Sequence, residues 1–235
     1  LSSLTFNNLV VRKLSENGNG SSKSWKKSNS TSRTVSSNNH KLTATGFNDF
    51  SEFYIGEPLI KTFRLRGPSD VIAGQTSSAI TLTVVDELGD PVPVTEETVF
   101  TLSSDFPTTS TMPATLTLAA GQSSGTFTYS NTVSGNHVLT AAWTSGVSQL
   151  TGISKTHDIA VLPENANKLA YVVQPQTAAV GESLGGIQVQ VLDQYDNLVN
   201  TSTAPITLAI DTNPGSGTLA GTATVSAVNG VATFT

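Results

Sequence analysis

Two stretches of the chain alternate apolar and polar residues and then break into an acidic turn. Ile80-Thr81-Leu82-Thr83-Val84-Val85 runs into Asp86-Glu87-Leu88-Gly89-Asp90, and Ile187-Gln188-Val189-Gln190-Val191-Leu192 runs into Asp193-Gln194-Tyr195-Asp196-Asn197. A period of two puts every second side chain on one face, so each stretch predicts a half-buried strand. Asp, Gly and Asn supply the positive φ and local hydrogen bonds of a turn. The copies lie 107 residues apart, and the offset recurs from Lys61 and Lys168, through Pro68 and Pro175, Gly74 and Gly181, to Thr126-Phe127-Thr128 and Thr233-Phe234-Thr235. A repeat of roughly 100 residues is too long for a solenoid unit and fits a whole Ig-sized sandwich.

The same patterning predicts strands at Thr62–Arg66, Ile80–Val85, Val99–Ser103, Thr115–Leu118, Gly125–Ser130, His137–Thr144 and Lys155–Leu162. Seven short strands with turn signals between them is the count of an Ig-like sandwich. No helical segment separates them, which disfavours parallel α/β folds. Leu139, Ala141 and Trp143 share one strand face, so Trp143 is expected in or near the core. The fold class expected is all-β: tandem Ig-like antiparallel sandwiches, the first and last incomplete.

The division expected is 1–57, the C-terminal part of a sandwich; 58–165, a complete Ig-like domain; and 166–235, an Ig-like domain lacking its last two strands. Thr235 is the counterpart of Thr128, after which the middle domain still has two strands to come. Each such strand would bury about three apolar side chains at roughly 1.5–3 kcal/mol apiece. That is comparable with a domain's whole stability of about 5–15 kcal/mol. Residues 167–235 are therefore expected to be completed by a continuing chain or by strands from a neighbouring subunit in a fibre. The short proline-bearing joints at Gly56-Glu57-Pro58 and Pro163-Glu164-Asn165-Ala166-Asn167 predict an extended, end-to-end arrangement.

Composition narrows the function classes. Charged residues make up 12% and aromatics 6%, and there is no cysteine, so disulfides, thiolate zinc sites and cysteine nucleophiles are excluded. No run of about 18 apolar residues exists, so no membrane insertion is expected in this segment. Residues 1–60 carry seven Lys/Arg against four Asp/Glu, and the remainder five against thirteen. The basic group Lys23, Lys26, Lys27 and Arg33 is diluted by Ser and Asn and reads as a solvated loop; no nucleic-acid partner is expected.

Two family resemblances accompany this reading. Phe50-Ser51-Glu52-Phe53-Tyr54-Ile55-Gly56 resembles the end of sandwich domains in bacterial secreted and surface proteins. Lys168 to Pro175, Gly181, Val189 to Val199, Gly217-Thr218-Leu219 and Asn229-Gly230-Val231-Ala232-Thr233-Phe234 resemble the Ig-like repeats of invasin/intimin-type giant adhesins, and Gly74, Asp86, Gly89, Val92 and Gly125-Thr126-Phe127 follow the pattern more loosely. The second resemblance implies an extracellular, bacterial cell-surface setting and leaves the ligand open.

Candidate chemistry is sparse. His40, His137 and His157 lie in separate segments without triad or metal spacing; His40, in a polar loop, and His157, near a strand start, read as ordinary surface histidines. Asp86, Glu87 and Asp90, and Asp193, Asp196 and Asn197, offer the hard oxygens that calcium takes, as do Glu164, Asn165 and Asn167 at the linker. Each turn has fewer than the six oxygens calcium requires and lacks EF-hand spacing, so Asx-stabilised turns are favoured. A metal at Glu164 and Asn165 would stiffen the joint. No other cofactor is expected. Asn19-Gly20-Ser21, Asn29-Ser30-Thr31 and Asn200-Thr201-Ser202 fit the glycosylation triplet.

The expected function is non-enzymatic: a structural or adhesive segment of a long bacterial surface protein or fibre, its sandwiches acting as spacers and display units. Its partners would be neighbouring Ig-like domains of the same chain or of adjacent subunits, and a host, cell-surface or glycan ligand. The alternative is an accessory, carbohydrate-binding module of a secreted enzyme, for which Trp25, Tyr54, Tyr129 and Tyr195 are the candidate platform residues. A phage or virion fibre is a third, weaker reading.

Overall fold

The fold rests on a computed structural model that describes residues 59–235 and, before them, only the backbone of five short strands. Those are β1 (Val10–Glu16), β2 (Lys23–Lys27), β3 (Arg33–Ser36), β4 (Lys41–Ala44) and β5 (Phe53–Gly56), paired as β2-β1-β5 and β3-β4. The side chains of Lys23, Lys26, Lys27, Arg33, Trp25 and Tyr54, and the whole of His40, lie outside the described residues.

The central unit contains β6 (Thr62–Arg66), β7 (Asp70–Ile72), β8 (Ile80–Val85), β9 (Thr98–Ser104), β10 (Thr115–Leu118), β11 (Ser124–Phe127), β12 (Gly135–Ser145) and β13 (Ser154–Leu162). They form two sheets, ordered β10-β9-β12-β13-β7 and β11-β8-β6. The third, sixth and seventh strands of the Ig scheme thus share one sheet (β9, β12, β13), and the first, second and fifth share the other (β6, β8, β11). Every expected strand is present. Short β7 was not expected; it pairs parallel with β13, Asp70 to Ile72 lying beside Ala160 to Leu162.

Alternation explains the core. On β8, Ile80, Leu82 and Val84 are fully buried while Thr81 and Thr83 stay half-exposed. They meet Phe63 from β6 and, from the facing sheet, Phe100, Leu102, Leu139, Ala141, Ile159 and Val161. Phe63 and Phe100 pack edge to face across the sandwich with centroids 4.8 Å apart. Trp143 is partly buried against this cluster, at the core margin as expected, and its indole N–H has no partner.

The C-terminal unit repeats the first half of that plan. β14 (Lys168–Val173), β15 (Ile187–Leu192) and β18 (Val231–Phe234) form one sheet in the order β14-β15-β18. β16 (Pro205–Thr207) and β17 (Thr224–Ser226) form a second, two-stranded sheet. β15 carries the same burial pattern as β8. Its core is smaller, built on Ile187, Val189, Val191, Ile206, Ala232 and Phe234. Among the described residues no counterpart of β12 or β13 lies beside β16. Residues 177–179, the counterpart of β7, are not a strand.

Candidate functional site: a hydrogen-bonded joint between the two units

Both acidic turns are built identically. In the first, Asp86 Oδ1 accepts the N–H groups of Leu88 and Asp90, at 2.9 and 3.0 Å. In the second, Asp193 Oδ1 accepts those of Tyr195 and Asn197, at 2.8 and 2.9 Å. The position between the latter pair takes a positive φ in each copy, 81° at Gly89 and 71° at Asp196. Glycine meets that conformation freely, and Asp is among the few other residues that do so at low cost. The Asx-turn expectation thus describes the geometry of both hairpins.

The second turn also reaches outside its own unit. Asp193 is fully buried. Its Oδ2 accepts the backbone N–H of Glu164 at 3.0 Å and the Asn197 side-chain amide at 2.8 Å. The Asn197 Nδ2 also donates to the carbonyl of Thr132 at 2.7 Å, and its Oδ1 accepts the N–H of Ser134 at 2.8 Å. Thr132 and Ser134 belong to the loop between β11 and β12, so one amide side chain, with every donor and acceptor engaged, ties the C-terminal turn to the central unit. Gln194 Nε2 donates to the Glu164 carboxylate. Tyr195 lies on Gly74, where an added Cβ would come within 2.1 Å of its hydroxyl.

Burial pushes the Asp193 carboxyl up, but the hydrogen bonds from the Asn197 side chain and from the N–H groups of Glu164, Asn197 and Tyr195 outweigh it and hold the group below the ordinary carboxylate range. The carboxylate is therefore charged at neutral pH and acts as an acceptor for four donors.

Other residues proposed as calcium ligands are placed as follows. Asp86 is buried in its turn and Asp90 half-buried beside it. Asp196 is exposed and pairs with Lys168 at 2.8 Å. Asn165 is exposed, and Glu164 faces Gln194. Among the described residues no three His, Asp or Glu side chains gather as a metal-holding group.

A second polar cluster lies just behind the joint. Tyr129, named above as a platform residue, is fully buried; it is a core residue, because its ring follows the inward face of the strand that ends at Phe127. His137 is also fully buried, on β12. Its Nδ1 lies 2.6 Å from the Tyr129 hydroxyl, which accepts from Asn131 Nδ2 at 3.0 Å and lies 3.3 Å from Ser104 Oγ. Phe106 stacks on the imidazole with centroids 4.0 Å apart, and Nε2 has no partner. Nothing in the local sequence announced this cluster; the inward phase of His137, which alternates with Leu139 and Ala141, was its one legible signal. His157 is half-buried, its Nε2 2.9 Å from the carbonyl of Pro68.

Next to the end of β16 lies a cleft of about 360 Å³ lined by Tyr171, Pro175, Leu184, Ile187, Leu208 and Ile210.

No family model matches the chain, and no curated protein matches it. Among solved structures, it is similar to domains 4 and 5 of the S-layer protein SbsC, at 17% identity and a TM-score of 0.32, over 47% of this chain and 58% of that one. It is similar to the Escherichia coli adhesin FdeC at 16% identity and a TM-score of 0.36, over 73% of this chain and 53% of that one. It is also similar to a family 2 glycosyl hydrolase from Bacteroides cellulosilyticus at 16% identity and a TM-score of 0.38, over 67% of this chain and 22% of that one. The chain thus spans a little over half of the first two proteins and about a fifth of the third. Likenesses this distant carry no argument about function. The Ig-like class rests on the strand order of the central unit.

Proposed function

We propose that this chain is a structural segment of a long bacterial surface protein, in which residues 58–165 and 166–235 are successive Ig-like domains acting as spacers and display units. The observation that supports this reading is the joint. A linker whose backbone N–H is bound by a buried carboxylate, and a turn whose Asn197 is bound by the preceding unit, fix the orientation of consecutive sandwiches. A stiff joint lets a tandem array project a distal domain, whereas an accessory module of an enzyme needs only a tether. The titratable groups also suit a structural part. Among the described residues the buried histidine is enclosed with Tyr129 and Phe106 rather than set at a cleft. The proposed setting is extracellular, and the proposed partners are neighbouring Ig-like domains.

The test is a distance measurement across the joint. Spin labels at Ser124 and Thr222, both exposed, should give one narrow distance distribution at neutral pH. Replacing Asn197 by Ala should broaden it. A broad distribution in the unsubstituted chain would overturn the reading, as would hydrolysis of a polysaccharide or peptide panel at ordinary enzyme rates.

A further inference from the structure

We propose that His137 is a proton-responsive brace for this joint: mild acidification opens the loop 131–135 and releases Asn197. The inference deepens the structural reading above and rests on it.

The geometry is a continuous set of hydrogen bonds. His137 Nδ1 meets the Tyr129 hydroxyl, and Asn131 Nδ2 donates to that same hydroxyl. Asn131 Oδ1 accepts the N–H of Val133 at 2.9 Å. The carbonyl of Asn131 accepts the N–H of Gly74, the residue under Tyr195. The two groups that hold Asn197, the Thr132 carbonyl and the Ser134 N–H, flank Val133. The loop that clamps the C-terminal unit is thus shaped from behind by the Tyr129–His137–Asn131 contact.

A neutral imidazole suits this place. One proton shared between Nδ1 and the Tyr129 hydroxyl satisfies both. A charged imidazole has two N–H donors. Nδ1 would then have to donate to an oxygen that already accepts from Asn131, and the Tyr129 hydroxyl proton would lose Nδ1 as its acceptor. The groups facing the ring from each packed element are few. The segment after β9 brings Phe106 onto its face and the Asp105 carboxylate nearby; the end of β11 brings Tyr129; β13 brings apolar Ile159 opposite. Burial lowers the basicity of the ring, and this outweighs the Asp105 charge and the Val133 backbone contact, which favour the proton.

The sign follows. The opened loop leaves the ring near its ordinary value of about 6.5, above that of the closed state. Above that pH, opening takes up no proton. As pH falls below it, opening takes up one proton, and the opening equilibrium grows by up to about tenfold per pH unit.

The experiment measures hydrogen-exchange protection of the Ser134 amide in the full chain from pH 7.5 to 5.0, relative to Leu82 in the central core. Protection factors remove the intrinsic pH dependence of exchange. Expected is a fall approaching tenfold per unit below about pH 6.5 at Ser134 but not at Leu82, and a flat profile in His137→Phe. A pH-independent Ser134, or an equal fall in His137→Phe, overturns the proposal. Should His137→Phe not fold, Asp105→Asn decides: it removes the neighbouring charge, keeps an acceptor for the Val138 N–H, and should leave the onset near pH 6.5 while extending the fall further toward low pH. An unchanged profile there also overturns the proposal. The spin-label pair separates the two readings. A broad distribution at pH 7.5 defeats the structural proposal itself, whereas a narrow one that stays narrow at pH 5 defeats only the brace.

Discussion

The central and C-terminal units start from the same hairpin and end differently closed. β8 and β15 bury the same alternate positions, and each runs into an Asx turn of the same geometry. In the central unit β9 lies between β10 and β12, and Leu139 and Ala141 from β12 complete the core. In the C-terminal unit β16 pairs, among the described residues, only with β17, and Tyr171 and Ile210 stand 51% and 44% exposed around the cleft. The difference teaches that this hairpin is a module which organises half a sandwich, while closure depends on the strands laid beside β9.

The sharpest way to break the comparison is to separate the halves. Residues 59–165 alone should unfold in one cooperative transition, with a stability in the range of about 5–15 kcal/mol usual for domains. Residues 166–235 alone should show no cooperative transition by circular dichroism. A cooperative melt of that fragment would mean that the open side is no deficit.

Side-chain truncation should follow the same order. Leu139→Ala, at a fully buried site in the central core, should cost about 2–5 kcal/mol by denaturant titration. Ile206→Ala should cost less than half as much, because its side chain packs into the smaller C-terminal core.

The joint is probed by two glycines in equivalent places. Gly181 has φ +86° and open space around its missing Cβ, so Gly181→Ala should cost only the left-handed conformation, about 1–2 kcal/mol. Gly74→Ala has φ +77° and drives a methyl into Tyr195. It should cost more and also broaden the spin-label distribution.

Acid supplies the next measurement. The folded-state value of Asp193 is depressed, so its contribution is present above the unfolded carboxyl value of about 3.9 and is lost as pH falls below it. Asp193→Asn should lower stability at pH 7 and flatten that acid limb. The smallest effect is expected at Lys168: its ion pair with Asp196 is solvent-exposed, so Lys168→Ala should change stability by no more than about 0.5 kcal/mol, less in high salt.

Much of this fold can be read from residue order, and particular residues show where that stops. Ile80-Leu82-Val84 and Ile187-Val189-Val191 declare their buried faces by alternation alone, and Asp86 and Asp193 declare turns. Strand β7 does not declare itself. Three residues, Asp70–Ile72, become a strand because β13 offers them a parallel edge, which is a tertiary event. Tyr129 reads as a polar-tipped aromatic suited to a surface, but its phase carries it inward, where His137, Asn131 and Ser104 satisfy its hydroxyl. The joint was half legible. Glu164 stood out as linker and Asp193 as turn, but the reach of one carboxylate oxygen to the other's N–H spans 29 positions and exists only once the units are docked.

The parallel pairing of β7 with β13 has a mechanical consequence. β7 lies near the start of the central unit, and β13 leads out of it into Pro163. Tension along the chain would draw the two strands past one another along their own axes. The rungs from Asp70–Ala160 to Ile72–Leu162, with the flanking bonds from Ala160 N–H to Ser69 and from Ala73 N–H to Leu162, would then be loaded together rather than peeled one by one. The central unit has a shear clamp at the place where load enters and leaves, whereas residues 177–179 of the C-terminal unit are not a strand.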